Sequence, residues 1–266
     1  MALTGVILGD ISGSQYEFSR MRPYDLDWKN VDLFTDKCRF TDDTILSIAT
    51  KDAILKNPKE PDFQKAYYEF GNRYKTGYGG SFKTWLMSKN PQPYGSFGNG
   101  SAMRCSYIGE FYDDPNDVVE QAKRSAMVTH NHPQGVKGSI VTAMCVWAAK
   151  NGKTKEEIYN YVSRFYNDEA VYKYPISMEL NKMRLFYQWD VTCQGSVAPA
   201  IRCFLEAGNW EEFMRNVMSL PCDMDTLGAI GGGIAEEYFK GTGLPNLMIL
   251  EKYLPPELLE IVIKGD

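Results

Sequence analysis

At residues 41–44 the chain reads Thr-Asp-Asp-Thr, and at 223–226 it reads Asp-Met-Asp-Thr. A run with helical periodicity follows each at once. A helix start uses one capping oxygen, and its dipole favours one or two nearby anions. Thr41, Asp42, Asp43, Asp223, Asp225 and Thr226 together offer more oxygens than two caps consume. Carboxylates and hydroxyls are the hard donors that Mg²⁺ prefers. If the two clusters meet, their four aspartates carry a charge of about −4, which two Mg²⁺ ions would balance. Periodicity alone does not bring residue 42 to residue 225. Simple capping and a binuclear metal site therefore both stay open at this point.

Other stretches carry chemistry at lower specificity. GDISGSQYEF (9–18) offers Asp10 and Glu17 on what reads as a glycine–serine loop. A mobile acid there suits general acid–base work, and a solvated loop charge is the plain alternative. GSFGNGSAMR (95–104) is a glycine-rich loop whose backbone N–H groups can cradle phosphate. It matches neither a Walker sequence nor GxGxxG. THNHP (129–133) holds both histidines of the chain, and Pro133 then opens a helix. Such a helix start suits phosphate, although a histidine there also serves as a cap or core residue. His-Asn-His in a row is not an HNH nuclease, whose motif is dispersed on a hairpin. Gly228, Gly231, Gly232 and Gly233 lie inside a helical pattern, each at a cost of about 1 kcal/mol relative to alanine. Either a neighbouring helix or a ligand must need that room.

Helices must position these groups. After TDDT, Leu46, Ala49 and Ala53 share a face with Ile45 and Ile48 alongside. Residues 62–75, 117–128, 134–150, 155–166, 197–206, 209–219 and 227–240 also read as helices. Strand-like alternation is scarce. TGYGGSF (76–82) and NPQPYGSFGNGS (90–101) read as binding loops. No linker divides the 266 residues, so the expected architecture is one all-α domain over 1–266, with 242–266 as a peripheral tail helix.

Bulk properties narrow the function. Hydrophobic residues make up 44% and charged residues 24%, as in globular proteins, and the net charge of −5 leaves no basic footprint and argues against nucleic acid as a general partner. The start MALTGVILGD lacks the pattern of a signal peptide, and no apolar stretch is long enough to span a bilayer. The six cysteines form no CxxC pair, which argues against zinc and a disulfide framework and for a reducing cytoplasm.

In order along the chain, GDISGSQYEF, FTDDT, GYGGSF, YGSFGNGSAMR, THNHPQGVKGSI, CQGSVAPAIRCFLE and DMDTLGAIGGGIAEEYF resemble the ADP-ribosylglycohydrolase family, in its compact bacterial form. The resemblance covers roughly residues 1–241. It implies an all-α orthogonal multi-helix bundle with a central cleft for two Mg²⁺ ions, Mn²⁺ being the substitute. It implies that Thr41, Asp42 and Asp43 face Asp223, Asp225 and Thr226 across one metal site. Glu17 then matches a mobile glutamate that closes over the site. Ser96, Phe97, Gly98, Asn99 and Gly100 match a loop around a diphosphate and ribose, His132 a histidine near the diphosphate, and Gly79 lines the same cleft. Glu17, Asp42 and Asp225 are the expected catalytic residues.

The implied reaction is hydrolysis of the C1″ glycosidic bond of an ADP-ribosyl group. The implied partner is an ADP-ribosylated protein or a small ADP-ribose conjugate, with ADP-ribose as product and a monomeric enzyme. Many family members carry two glycines before the second acidic cluster, where this chain has Pro221 and Cys222, and Met224 replaces a small polar residue. The alternative is accordingly a non-catalytic ADP-ribose-binding or structural member. A phosphohydrolase reading of DMDT fails because that motif belongs after an early strand of a parallel α/β fold.

Overall fold

A computed structural model describes residues 2–17 and 26–264. Phe18, the end of the 9–18 stretch, and the last two residues of the tail lie outside them. The described residues form fifteen helices and no strand. The architecture is all-α, as expected.

The centre is a pair of helices, α1 (Ala2–Ser14) and, late in the chain, Met224–Phe239. Both are buried along nearly their whole length and mostly apolar, as befits helices with almost no solvent face. Val6, Ile7, Leu8 and Ile11 of the first and Leu227, Ile230 and Ile234 of the second are wholly buried. Their glycines recur every four residues, at 5, 9 and 13 and at 228 and 232, so that each helix presents a bare backbone stripe. A Cβ on Gly9 would stand 2.2 Å from the Gly228 carbonyl oxygen, and one on Gly232 2.3 Å from that of Gly5. The room left by the late glycines is thus filled by helices. Gly231 faces Phe213 and Gly233 faces Ser106.

Around this pair the chain winds in order. α2 (Asp42–Lys56) starts the first acidic cluster, and α3 (Phe63–Arg73) packs against it. α4 (Gly80–Met87), α5 (Gly100–Met103) and α6 (Ser106–Phe111) are short helices that periodicity did not reveal. α7 (Pro115–Met127) and α8 (Pro133–Lys150) pack as neighbours, each with proline in its first turn. α9 (Lys155–Tyr166) carries a Thr154–Glu157 capping box. α10 (Leu180–Phe186), α11 (Cys193–Leu205) and α12 (Trp210–Met218) lead to α13, the late central helix. α14 (Asn246–Tyr253) and α15 (Pro256–Ile263) close the chain. α15 buries Leu258 and Val262, and Lys51 of α2 donates to the Val262 carbonyl at 2.7 Å.

The expectation of a loop at GDISGSQYEF is overturned. Residues 9–14 are the second half of α1, and Asp10 is fully buried. Gly9 and Gly13 serve close helix packing there, although glycine and serine in a row are the local pattern of a flexible segment. Likewise the loop expected at 76–82 ends at Gly79, the N-cap of α4. All six cysteines are buried and unpaired.

Candidate active site

Thr41 is the N-cap of α2, and its Oγ1 accepts from the Asp43 N–H at 3.3 Å. That single oxygen does the capping, so Asp42 and Asp43 are surplus to it. Asp223 is the N-cap of α13, yet its side chain makes no capping bond. It accepts instead from the Asn99 side-chain amide at 2.9 Å. The two helix starts meet: the Thr226 hydroxyl donates to Asp43 Oδ2 at 3.4 Å across 183 residues of chain. Capping therefore does not account for the clusters.

Asp10 joins them from α1. It accepts from the backbone N–H and hydroxyl of Thr41, both at 2.8 Å, and from the N–H and hydroxyl of Thr44. These four donors anchor the start of α2 to α1. Ligand oxygens of Asp10, Asp43 and Asp225 all lie within 4.8 Å of one another, a group able to hold a metal ion. Asp43 Oδ1 is buried with no hydrogen-bond partner. A buried acceptor without a donor is costly, and a cation is what its surroundings lack. Burial raises the pKa of Asp10, Asp43, Asp223 and Asp225, and pushes Asp42 up to about 7, with neighbouring carboxylates adding to the rise at Asp42, Asp43 and Asp225. The donor set is all hard oxygen, which fits Mg²⁺ or Mn²⁺. The Cys222 thiol points away, toward the Val217 carbonyl. Pro221 and Cys222 still deliver Asp223 to the helix start, and Met224 is buried.

Most of these groups line a cavity of about 700 Å³. Glu17, Asp42, Asp43, Asp223, Asp225 and Thr226 line it, as do Gly79, Ser96, Gly98, Asn99 and Gly100. Glu17 is held by Arg39 at 2.6 Å. Its oxygen also lies 3.3 Å from where a Gly77 Cβ would be, so glycine there keeps the passage open. The loop 96–100 is fixed by residues 191–193: the Asn99 N–H donates to the Val191 carbonyl, and the Cys193 N–H to that of Phe97, each at 2.9 Å.

Three expected residues stand elsewhere. Thr41 is buried behind Asp10 and Asp43 and does not line the cavity. His132 is the N-cap of α8, where its Nδ1 accepts from the Gln134 N–H at 3.1 Å. Phe97 is 44% exposed and rests on the His132 ring at 5.1 Å. The histidine in the cavity wall is His130. The sequence held the signal, because proline at the first helical position makes the residue before it the cap. Arg104, Tyr94, Trp189 and Val191 also line the cavity and were not foreseen. Arg104 is completely buried, stacked 4.0 Å from the Tyr67 ring, and donates to the Ser125 carbonyl and the Thr129 hydroxyl, each at 2.9 Å. These partners are neutral, so the cavity wall combines a cluster of carboxylates with a buried positive charge.

The family profile of ADP-ribosylglycohydrolases matches residues 1–255. The chain belongs to the ADP-ribosylglycohydrolase family. It is therefore a glycohydrolase enzyme. The curated protein ADP-ribosylhydrolase ARH3 of Mus musculus is 25% identical, over 92% of this chain and 84% of that protein. ARH3 of Homo sapiens is 26% identical, over 92% and 86%. A solved structure titled ADP-ribosylglycohydrolase-related protein complex superposes with a TM-score of 0.71 at 22% identity, over 98% of this glycohydrolase and 92% of that chain, which shows a shared fold. No helix among the described residues is long and apolar enough to cross a membrane.

Proposed function

We propose that this glycohydrolase is a Mg²⁺-dependent hydrolase that cleaves the C1″ glycosidic bond of ADP-ribosyl groups, releasing ADP-ribose from a modified protein side chain or a small conjugate. The observation that carries the reading is one cavity wall that combines the carboxylates of Asp42, Asp43, Asp223 and Asp225, with Asp43 Oδ1 left without a donor, with Arg104 and His130. ADP-ribose offers matching groups, ribose hydroxyls for a carboxylate-bound cation and a doubly charged diphosphate for donors in the same wall.

Asp43, Asp223 and Asp225 would hold the metal ions, two by the count of carboxylates, with Asp42, Asp10 and the threonine hydroxyls completing the oxygen set. When bound, Mg²⁺ supplies charge that orients hydroxyl groups and a water. The chain's own residues do the rest. Asn99 fixes the Asp223 carboxylate through its 2.9 Å hydrogen bond. The 96–100 loop and His130 receive the diphosphate. Glu17 stands near Asp42 in the cavity wall and carries a proton to or from the reacting oxygen. Arg39 keeps Glu17 aimed inward. Six free buried thiols favour a reducing compartment such as the cytoplasm, and the working form we propose is a monomer.

The test is release of ADP-ribose from an arginine-linked and from a serine-linked ADP-ribosyl peptide, each with Mg²⁺ and with EDTA. Metal-dependent release from either is the expected result and identifies the linkage. No release from either, with no binding of ADP-ribose, overturns the proposal.

A further inference from the structure

His130 is buried in the cavity wall, and its ring edge bearing Nε2 lies against the glycine loop. A Cβ on Gly100 would stand 3.2 Å from Nε2 and 3.3 Å from Cε1. The other ring nitrogen is engaged from behind: His130 Nδ1 lies 2.7 Å from the Thr129 hydroxyl. A neutral imidazole has one donor and one acceptor nitrogen, and the hydrogen bond at one decides the role of the other.

Arg104 decides the hydrogen bond. Its Nη2 donates to the same Thr129 oxygen at 2.9 Å, and a guanidinium donates only. The Thr129 hydroxyl therefore accepts from Arg104 and has its own proton to give. The positive charge beside it makes it a better donor and a poorer acceptor. The Tyr94 hydroxyl is a second neighbour of Thr129, but imidazole Nδ1 is the stronger acceptor of the two. Arg104 itself is fixed by the Ser125 carbonyl and the Tyr67 ring, and Tyr67 is held by Thr50 and Ser125 at 2.8 and 2.6 Å.

We infer that Arg104 and Thr129 are positioning residues that lock His130 in its Nε2–H tautomer, so that its ring donates a hydrogen bond to an anionic oxygen of the substrate. The inference rests on the proposed function for the identity of the anion as a diphosphate. Burial and the Arg104 charge both lower the pKa of His130 well below its usual value, which keeps the ring neutral and makes the tautomer, rather than protonation, the property that matters. The polarity of one hydroxyl thus passes a buried charge to the cavity wall without exposing the charge itself.

The full chain labelled with ¹⁵N-histidine tests this directly, since it has two histidines and His132→Gln assigns them. Long-range ¹H–¹⁵N spectra at neutral pH should show His130 neutral with its proton on Nε2. Thr129→Val should lose the single tautomer, and Thr129→Ser should restore it. The same Thr129→Val change should weaken ADP-ribose or inorganic pyrophosphate binding about tenfold or more, with kcat changed far less, and Thr129→Ser should bring it back. A wild-type His130 protonated on Nδ1, or a Thr129→Val spectrum identical to wild type, overturns the lock. A lost tautomer with unchanged pyrophosphate and ADP-ribose affinity overturns its role in anion binding. If the chain neither binds nor cleaves ADP-ribose, the proposed function falls, while the spectra and the pyrophosphate titration still decide the lock.

Discussion

Asp43 has one carboxylate oxygen that receives the hydroxyls of Thr41 and Thr226 and one that receives nothing. Asp225 faces it, so without a cation the two carboxylates raise each other's cost. Two effects of opposite sign follow for Asp225→Asn. The metal-free protein should gain stability, on the order of 1 kcal/mol, because one repulsive partner is removed. Activity should vanish together with any stabilisation by Mg²⁺. Thermal unfolding with EDTA and with Mg²⁺ reads both. Asn99 acts on the neighbouring carboxylate, and Asn99→Leu should lower Mg²⁺ affinity or turnover roughly 10- to 100-fold while the fold persists. Unchanged Mg²⁺ titration and turnover would sink that assignment.

Individual side chains reach these places only because α1 and α13 touch backbone to backbone. Gly9→Ala would set a methyl 2.2 Å from the Gly228 carbonyl oxygen, where neither helix can yield without moving Asp10 or Asp225. The expected cost is above 2 kcal/mol in urea unfolding, with activity lost. Gly80→Ala, in open space at the start of α4, should be neutral or mildly stabilising. The same helix pair carries a second titratable feature, since Glu236 of α13 accepts from the Gly5 N–H in the first turns of α1. Burial raises its pKa from 4.5 to about 8. The folded protein thus holds this proton where the unfolded chain has released it. Its contribution is complete below pH 4.5 and is lost as pH rises to about 8, at no more than about 1.4 kcal/mol per pH unit. Glu236→Gln should flatten that decline, and unfolding series at pH 5 and pH 8 measure it. The acidic clusters and the long amphipathic helices were legible because their patterns repeat within one element. The nature of α1 was not, because glycine every fourth residue reads as looseness until a second glycine-striped helix is laid against it. His130 was missed for a related reason: its role depends on Arg104 and Thr129, and only the fold brings Arg104 to it.

At the scale of the whole molecule, the cluster of Asp10, Asp43 and Asp225 joins three helices, α1, α2 and α13, drawn from both ends of the chain. Anything that binds there ties them together. At about 100 times its dissociation constant, Mg²⁺ should add about 2.7 kcal/mol of stability and raise the melting temperature by roughly 5–10 °C. EDTA should abolish the shift, and so should Asp225→Asn. No shift in the wild type would count against a metal at this place. The resemblance read from seven short stretches anticipated the union of the two clusters, and the hydrogen bond from Thr226 to Asp43 supplies it in atoms. Asp10 completes the group from a stretch whose burial no local pattern announced.

The hydrogen bond between residues 43 and 226 also has a direction in time. A chain is made from its first residue onward, and domains assemble as they emerge from the ribosome. Until α13 has been synthesised, Asp10 and Asp43 lack their third partner, and α1 lacks the bare helix that its glycines fit. A nascent chain halted before residue 223 should therefore be blind to Mg²⁺ and keep its apolar first helix in need of shelter. The last sixth of the protein is what turns the first helix from a liability for a chaperone into the floor of an active site.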